Sequence, residues 1–127
     1  GVGHFEPSEF LYLGSSNERL KLNSIPSRVL WPNIVETVLR LDAIRQRFGH
    51  PLVIVSAYRN SAYNRAIGGA TRSNRMSFMA ADVRPIGGTV QRLHSLAQES
   101  QNFHKSGGLG KYLTFIHVDC RNYIARW

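Results

Sequence analysis

Residues 53–83 read VIVSAYRNSAYNRAIGGATRSNRMSFMAADV, and the order of apolar and polar residues in this stretch decides the fold. The run Leu52–Tyr58 is rich in β-branched residues with little polar interruption, which predicts a central strand buried on both faces. Asn60 or Ser61 can then cap a short helix through Ile67, because their side chains accept hydrogen bonds from helical N–H groups. The Gly-Gly pair that follows predicts the turn that ends this helix.

A second strand in the same stretch carries one carboxylate. The alternation in Ser77–Arg84 predicts a strand in which Asp82 lies among alanine and methionine side chains. Such a carboxylate is costly to bury without a cation or hydrogen-bond donors, so Asp82 is expected to have a partner. Further along, Lys111–Val118 predicts a third strand, and the sequence FIHVDCR places His117 and Asp119 side by side on one face of it. The chemistry is expected where these three strands meet.

Helices and loops flank the strands. Apolar residues recur at three- and four-residue steps from Trp31 to Phe48 and from Thr89 to about Ser100, which predicts two amphipathic helices. Pro7 suits the first turn of a short N-terminal helix. The remaining segments are predicted as surface loops at Gly14–Ser27 and Gln101–Gly110 and as an edge strand or tail at Asn122–Trp127.

These elements together predict an α+β fold with a small mainly antiparallel sheet and helices packed on one side. Residues 1–127 are expected to form one domain, because 127 residues with 43% hydrophobic content can build one core. Arg40, Arg45 and Arg47 fall mostly on the face of the first long helix opposite its apolar stripe, and we expect them to be solvated.

Composition also limits the partners. The net charge of +8 favours anionic partners. Arginine binds both carboxylates and phosphates, so charge alone does not choose between peptide carboxylates, nucleic acid and a charged cell-wall or capsid surface. The arginines are scattered along the chain instead of forming a stripe with interleaved aromatic residues, so nucleic acid is the least favoured partner. No run approaches the roughly 20 apolar residues that span a membrane.

Several short motifs, taken together, resemble the zinc D-Ala-D-Ala peptidases of peptidase family M15, which have the Hedgehog/DD-peptidase fold. The resemblance is closest to the small single-domain members found among bacterial cell-wall enzymes and phage proteins, and it covers nearly the whole chain. The motifs are HFEPSEF (4–10), SAYR (56–59), YN (63–64), AIGGA (66–70), Ser73, AADV (80–83) and HVD (117–119).

The resemblance implies a metal site that has lost a ligand. In that family zinc is held by a histidine, an aspartate seven positions later and a distant histidine, which correspond here to Arg75, Asp82 and His117. A guanidinium carries only hydrogen-bond donors and stays charged, so Arg75 cannot ligate zinc. Asp82 and His117 are therefore expected to be vestigial ligands, with no cofactor expected. A second departure is Phe78, where the family usually has glycine, and its ring is expected to crowd the site.

Other family positions are intact. The resemblance implies that Arg59 binds the substrate carboxylate or stabilises an oxyanion, and that Ser73 contacts the substrate. Structural hydrogen bonding at strand and turn ends stays open as an alternative for both residues. Asp119 is the candidate general base or the partner that orients the histidine, since other branches place a glutamate where this chain has Thr114. We also hypothesise that Arg75 forms an internal salt bridge with Asp82 in place of the metal.

Three functions follow as alternatives. The first is an inactive M15-like domain that binds peptidoglycan stem peptides or serves as a structural component of a virion or cell-wall assembly, which leaves the virion and the cell envelope as settings. The second is an active zinc-dependent carboxypeptidase or endopeptidase that cleaves peptidoglycan, which would need zinc and another ligand such as His4 or His104. The third is a nucleic-acid-binding module.

Overall fold

The computed structural model describes residues 5–71, 73–100, 103 and 105–127, and the elements below are those of the described residues. The α-helices are α1 (Asn17–Leu20), α2 (Val35–Phe48), α3 (Ser61–Ala66) and α4 (Val90–Glu99). The strands are β1 (Leu52–Ser56), β2 (Ala80–Pro85), β3 (Gly107–Lys111), β4 (Ile116–Asp119) and β5 (Ile124–Arg126). Two 3-10 helices, Pro7–Leu11 and Arg28–Ile34, precede α1 and α2 respectively.

The strands form one sheet in the order β1-β2-β4-β3-β5. The pairs β1/β2, β2/β4 and β3/β4 are antiparallel, and only β5 runs parallel to its neighbour β3. The predicted α+β class with a mainly antiparallel sheet is therefore confirmed. The Asn122–Trp127 segment, left open as an edge strand or a tail, supplies edge strand β5.

The two central strands divide their side chains between an apolar face and a polar face. Val83 lies across from Ile116, and both are fully buried in the hydrophobic core. One residue along each strand, Asp82 lies across from His117 on the other face, and each is 2% exposed. Because successive side chains of a strand point to opposite faces, the register that builds the core also places the ionisable residues together.

Helices α2 and α4 pack on the apolar face. Leu41 and Ile44 of α2 join Leu93 and Ala97 of α4 in the same core cluster as the strand residues, and each is at most 1% exposed. Gly49 ends α2 with a left-handed backbone, φ 79°, and its N–H donates to the carbonyl of Arg45 at 3.0 Å. No helix in the described ranges is both long and apolar enough to cross a membrane.

The prediction of a loop at Gln101–Gly110 and a single strand at Lys111–Val118 is wrong in its boundaries. Gly107–Lys111 is strand β3, a turn follows, and β4 covers only Ile116–Asp119. The glycines that suggested a loop lie in a strand that passes close to other groups. A Cβ added at Gly108 would lie 2.3 Å from the carboxylate of Asp119, so a side chain there would displace that carboxylate.

The second strand begins later than predicted, at Ala80 instead of Ser77. Residues 74–78 form turns, held by backbone bonds such as the one from the N–H of Phe78 to the carbonyl of Arg75 at 3.2 Å. Phe78 has a left-handed backbone, φ 55°, which L-residues other than glycine rarely adopt. A strand cannot pass through that conformation, so regular pairing starts after it.

Arg40 is buried, against the expectation that it is solvated, and only 5% of it is exposed. Its guanidinium donates to the carboxylate of Glu36 at 3.0 Å and to the backbone carbonyl of Ser106 at 3.1 Å, and it lies over the ring of Phe103 at 5.0 Å. The segment after α4 therefore passes over this side of α2 and covers it. Arg47 stays exposed, as expected.

Candidate functional site

His117 lies between two buried carboxylates. Its Nδ1 is 3.1 Å from Oδ1 of Asp82, and its Nε2 is 2.7 Å from Oδ2 of Asp119. Strand pairing explains the arrangement, because β2 and β4 place the first carboxylate directly across from the ring and the second two residues further along β4. Both contacts can be hydrogen bonds at once only when both ring nitrogens carry a proton.

Arg75 forms a two-point ion pair with Asp82, one of these two carboxylates. Its Nε donates to Oδ2 of Asp82 at 2.9 Å and its terminal nitrogen donates to Oδ1 at 2.6 Å. The hypothesis of an internal salt bridge between these residues is confirmed. Burial by itself would raise the pKa of Asp82, but the hydrogen bond from His117 and the charge of Arg75 lower it below its ordinary value.

Arg121 forms a similar ion pair with Asp119, the other carboxylate. Its Nε and terminal nitrogen donate to the carboxylate of Asp119 at 2.9 and 2.6 Å, and the backbone N–H of Gly108 adds a bond of 2.7 Å. Burial would raise the pKa of Asp119, but hydrogen bonds from His117 and Arg121 lower it well below its usual range. A carboxylate with so many donors orients the imidazole and makes a poor proton acceptor. Of its two predicted roles, the geometry suits the orienting one.

Arginine and aspartate thus alternate with the histidine in a row that we call the ionic row: Arg75, Asp82, His117, Asp119 and Arg121. A family model described as Peptidase M15 matches residues 4–119, which covers most of the chain and four of these five positions. The chain belongs to the peptidase M15 family. No curated protein matches it.

The M15 site of this chain does not fit a zinc ion with the side chains as they stand. Both ring nitrogens of His117 face carboxylates, and both carboxylate oxygens of Asp82 accept hydrogen bonds from Arg75. Within the described part of the chain, no three His, Cys, Asp or Glu side chains are arranged to hold a metal ion. His4 and His104, either of which was named as a further ligand for the active alternative, lie outside the described residues.

A cavity of about 470 Å³ opens beside the ionic row. Arg59, Ser73, Arg75 and His117 all line it, so the structure brings these predicted site residues together. Asp82 and Asp119 are not among its lining residues and are 2% and 0% exposed. Arginines are therefore exposed to the cavity without acidic side chains beside them, and the aspartates that balance two of these arginines are buried.

Arg59 is the cation of this cavity that has no acidic partner among the described residues. Its Nε is buried without a hydrogen-bond partner in the described part of the chain. Burial, and after it the positive charge of Arg75, lower the pKa of Arg59 from its ordinary value. The turn predicted at the Gly-Gly pair packs against this side chain, since a Cβ at Gly69 would lie 3.1 Å from a terminal nitrogen of Arg59. The two predicted roles of Arg59, binding a ligand carboxylate and structural hydrogen bonding, both stay predictions.

Ser73 contributes differently. It is 8% exposed, and its hydroxyl accepts a hydrogen bond from the backbone N–H of Arg75 at 3.2 Å. This bond belongs to the turn that presents the guanidinium to Asp82. The structural role therefore has a direct observation behind it, while the cavity position keeps the substrate-contacting role as a prediction.

Phe78 does not crowd the site, against the expectation. Its ring is 2% exposed, packs edge-on against Tyr58 with 6.2 Å between ring centroids and lines a separate apolar groove. Its backbone is nevertheless left-handed, the conformation for which glycine is the usual choice. The backbone that glycine favours is kept here, and the side chain points into the core.

Sequence reasoning missed several residues that line the cavity, among them Arg121 and Trp127. Arg121 could have been found, because it follows Asp119 by two positions in the same alternation as His117. No sequence signal points to Trp127, whose place depends on the pairing of β5 with β3.

Proposed function

We propose that this chain is an M15-family domain that binds the carboxylate of a peptidoglycan stem peptide and does not hydrolyse it. The observation that carries the proposal is the two-point ion pair between Arg75 and Asp82. It puts an obligate hydrogen-bond donor on the carboxylate where a zinc-dependent peptidase needs a ligand with a free electron pair.

The charges of the cavity support a carboxylate as the ligand. Arg75 and Arg121 are each neutralised by a buried aspartate, so that Arg59 is the cation left for an outside partner. A guanidinium that lines a cavity gains charge-assisted bonds when a carboxylate arrives there, and such bonds are about twice as strong as neutral ones. The net charge of +8 favours the approach of an anion to the whole domain. We propose the cell envelope or a virion as the setting, because the family resemblance is to small members found among cell-wall enzymes and phage proteins.

Binding tests the first half of the proposal. We expect a peptidoglycan stem peptide with a free carboxylate to bind in isothermal titration calorimetry, and the same peptide with an amidated end to bind at least about tenfold more weakly. Arg59→Gln should remove that preference. Arg65→Gln is the matched control, since Arg65 lies on α3, is exposed and does not line the cavity. Equal binding of both peptides by the parent would contradict the proposal.

Metal content and hydrolysis test the second half. The parent, purified without chelators and dialysed, is expected to hold no stoichiometric zinc by elemental analysis and to release no product from peptidoglycan. Arg75→His restores the family ligand and is expected to take up zinc, because an imidazole offers the lone pair that a guanidinium lacks. D,D- and L,D-endopeptidase activity should be measured for both proteins. A parent that cleaves peptidoglycan with bound zinc would establish the active alternative instead.

A further inference from the structure

The part of the chain outside the family match contributes a wall of the cavity. The match ends at residue 119, and the segment 120–127 forms β5 and supplies Arg121, Tyr123 and Trp127 to the cavity lining. Tyr112 and Phe115, from the turn between β3 and β4, line the same cavity. We call Tyr112, Phe115, Tyr123 and Trp127 the aromatic wall.

Trp127 is held in one position by several contacts. Its backbone N–H donates to the carbonyl of Leu109 at 3.2 Å, and its carbonyl accepts from the N–H of Lys111 at 2.8 Å. Its indole N–H donates to the hydroxyl of Tyr112 at 2.8 Å, and its ring lies 4.9 Å from the ring of His117. The side chain still exposes 47% of its surface, so a fixed indole is presented to a ligand at low entropic cost.

The rest of the wall is also preformed and carries polar edges. Tyr112 and Phe115 stack with 4.5 Å between their centroids and an interplanar angle of 8°. The hydroxyl of Tyr123 accepts from Arg121 at 3.3 Å, and that guanidinium lies over the rings of Tyr123 and Trp127 at 5.4 and 5.2 Å. Tyr112, Tyr123 and Trp127 are still 38%, 58% and 47% exposed. Partly exposed aromatic rings beside hydroxyl and guanidinium groups suit a ligand ring that is apolar on its face and rich in hydroxyl and amide groups at its edge.

We propose that the aromatic wall binds the amino-sugar ring of peptidoglycan, so that the ligand is a stem peptide still attached to its sugar. This inference rests on the proposed function, since Arg59 takes the carboxylate of the same ligand. Nucleic acid would also offer rings and negative charge. Its strand carries a phosphate at every nucleotide, however, and is bound along tracks of unpaired cations. Here Asp82 and Asp119 already neutralise two of the three arginines in the cavity.

The two tryptophans of the chain allow a direct test. Trp31 lines the separate apolar groove, so Trp31→Phe leaves Trp127 as the only indole reporter beside the cavity. The probes are a muramyl-linked stem peptide, the same stem peptide without sugar, and a single-stranded oligonucleotide. We expect the muramyl-linked peptide to bind roughly tenfold more tightly than the free peptide and to shift the emission of Trp127.

Variants separate a sugar contact from a structural role. Trp127→Ala should remove the tenfold preference and leave the affinity for the free peptide within about twofold of the parent, whereas Trp31→Ala should leave the preference intact. Equal affinity of the parent for the two peptides, or equal losses for both in Trp127→Ala, would overturn the inference while the proposed function stands. A salt-sensitive preference for the oligonucleotide would also overturn it. If the muramyl-linked peptide binds and Arg59→Gln does not weaken its binding, the proposed function fails, while binding of the sugar by the aromatic wall remains supported.

Discussion

A single side chain, Arg75, gives this site a chemistry different from that of a zinc site. A guanidinium delivers its positive charge through two parallel N–H bonds to one carboxylate, whereas a metal ion draws several ligands toward itself. The geometry shows the result, since both side-chain bonds of Arg75 seen among the described residues go to Asp82, and the ring nitrogens of His117 face the two carboxylates. The ion pair is almost fully buried, with side-chain exposures of 12% and 2%.

We predict that Arg75→Met destabilises the domain by about 3–5 kcal/mol, because it leaves a buried carboxylate without its main cation. Urea unfolding measures the loss. Arg47→Met is the matched control: its partner Glu99 is 3.6 Å away and both side chains are more than half exposed, so we expect a loss of at most about 1 kcal/mol. Similar losses for the two variants would contradict a structural role for the buried pair.

Phe78 combines an unfavourable left-handed backbone conformation with the favourable burial of its ring. A left-handed backbone costs a residue with a Cβ on the order of 1 kcal/mol, while burying a phenylalanine ring contributes about 3–5 kcal/mol, so the ring outweighs the strain.

This balance predicts an unusual order of stability. Phe78→Gly and Phe78→Ala should both be less stable than the parent, but the glycine variant should be the more stable of the two by about 1 kcal/mol, because it alone relieves the backbone. At Leu41, buried within helix α2, the order should reverse, with alanine better than glycine by about 1 kcal/mol. Thermal unfolding of the four variants checks both orders, and the same order at the two positions would refute the explanation.

At the scale of elements, strand β3 is shaped by what lies against it. Its polar face carries Gly108 beside the carboxylate of Asp119 and Gly110 beside the indole of Trp127. Leu109, which points to the other face, is fully buried in the core. Glycine is unfavourable in a strand by itself, so its presence here marks the close approach of other groups.

We predict that Gly110→Ala costs about 1–3 kcal/mol in the parent and much less in Trp127→Ala. An added Cβ would lie 2.5 Å from indole atoms of Trp127, and removing the indole removes that clash. A double-mutant cycle on unfolding free energies measures the coupling between the two changes. Additive losses would mean that the strand, and not the indole, sets the requirement for glycine. Leu113→Ala, in the turn and 94% exposed, should be close to neutral.

At the scale of the whole molecule, burial separates the charges, because two aspartates are buried while their arginine partners line the cavity. The chain has 16 basic and 8 acidic residues, and two of the acidic ones, Asp82 and Asp119, are buried in the ionic row. Their partners Arg75 and Arg121 are held between them and the cavity. Arginines therefore line the cavity while the aspartates that compensate their charges are buried.

This arrangement predicts loss of stability in acid. Hydrogen bonds and nearby cations lower the pKa of both aspartates in the folded domain, so their contribution is fully present above the ordinary aspartate pKa of about 3.9. It is lost progressively as the pH falls toward the lower folded-state values. The unfolding free energy should therefore drop steeply below about pH 4, and more gently in Asp119→Asn. Glu18→Gln, an exposed change on α1, should keep the steep drop; the same slope in all three proteins would contradict the prediction.

Local patterns in the sequence predicted many of the elements of the fold. The apolar periodicity of α2 and α4 and the β-branched run of β1 predicted that these elements form, because burying apolar faces demands such residues. The prediction that Leu52–Tyr58 is a central strand buried on both faces is wrong, since β1 covers Leu52–Ser56 at the edge of the sheet and Val53 is 37% exposed. The resemblance to the M15 family implied the correspondence of Arg75, Asp82 and His117 to a metal site, and strand alternation placed His117 and Asp119 on one face.

Only the tertiary structure decided which side chains of the ionic row pair with one another. Sequence alone left the partner of Arg75 open between Asp82 and solvent, and burial resolved it, since a carboxylate that is 2% exposed requires a cation. The strand nature of Gly107–Lys111 and the place of Trp127 depend on pairing between segments distant along the chain, which no local pattern encodes. The sequence by itself thus determined most of the charges that the site contains, though not Arg121. Long-range packing determined that Arg75 and Arg121 pair with buried aspartates while Arg59 has no acidic partner among the described residues, because pairing between distant segments sets which side chains meet.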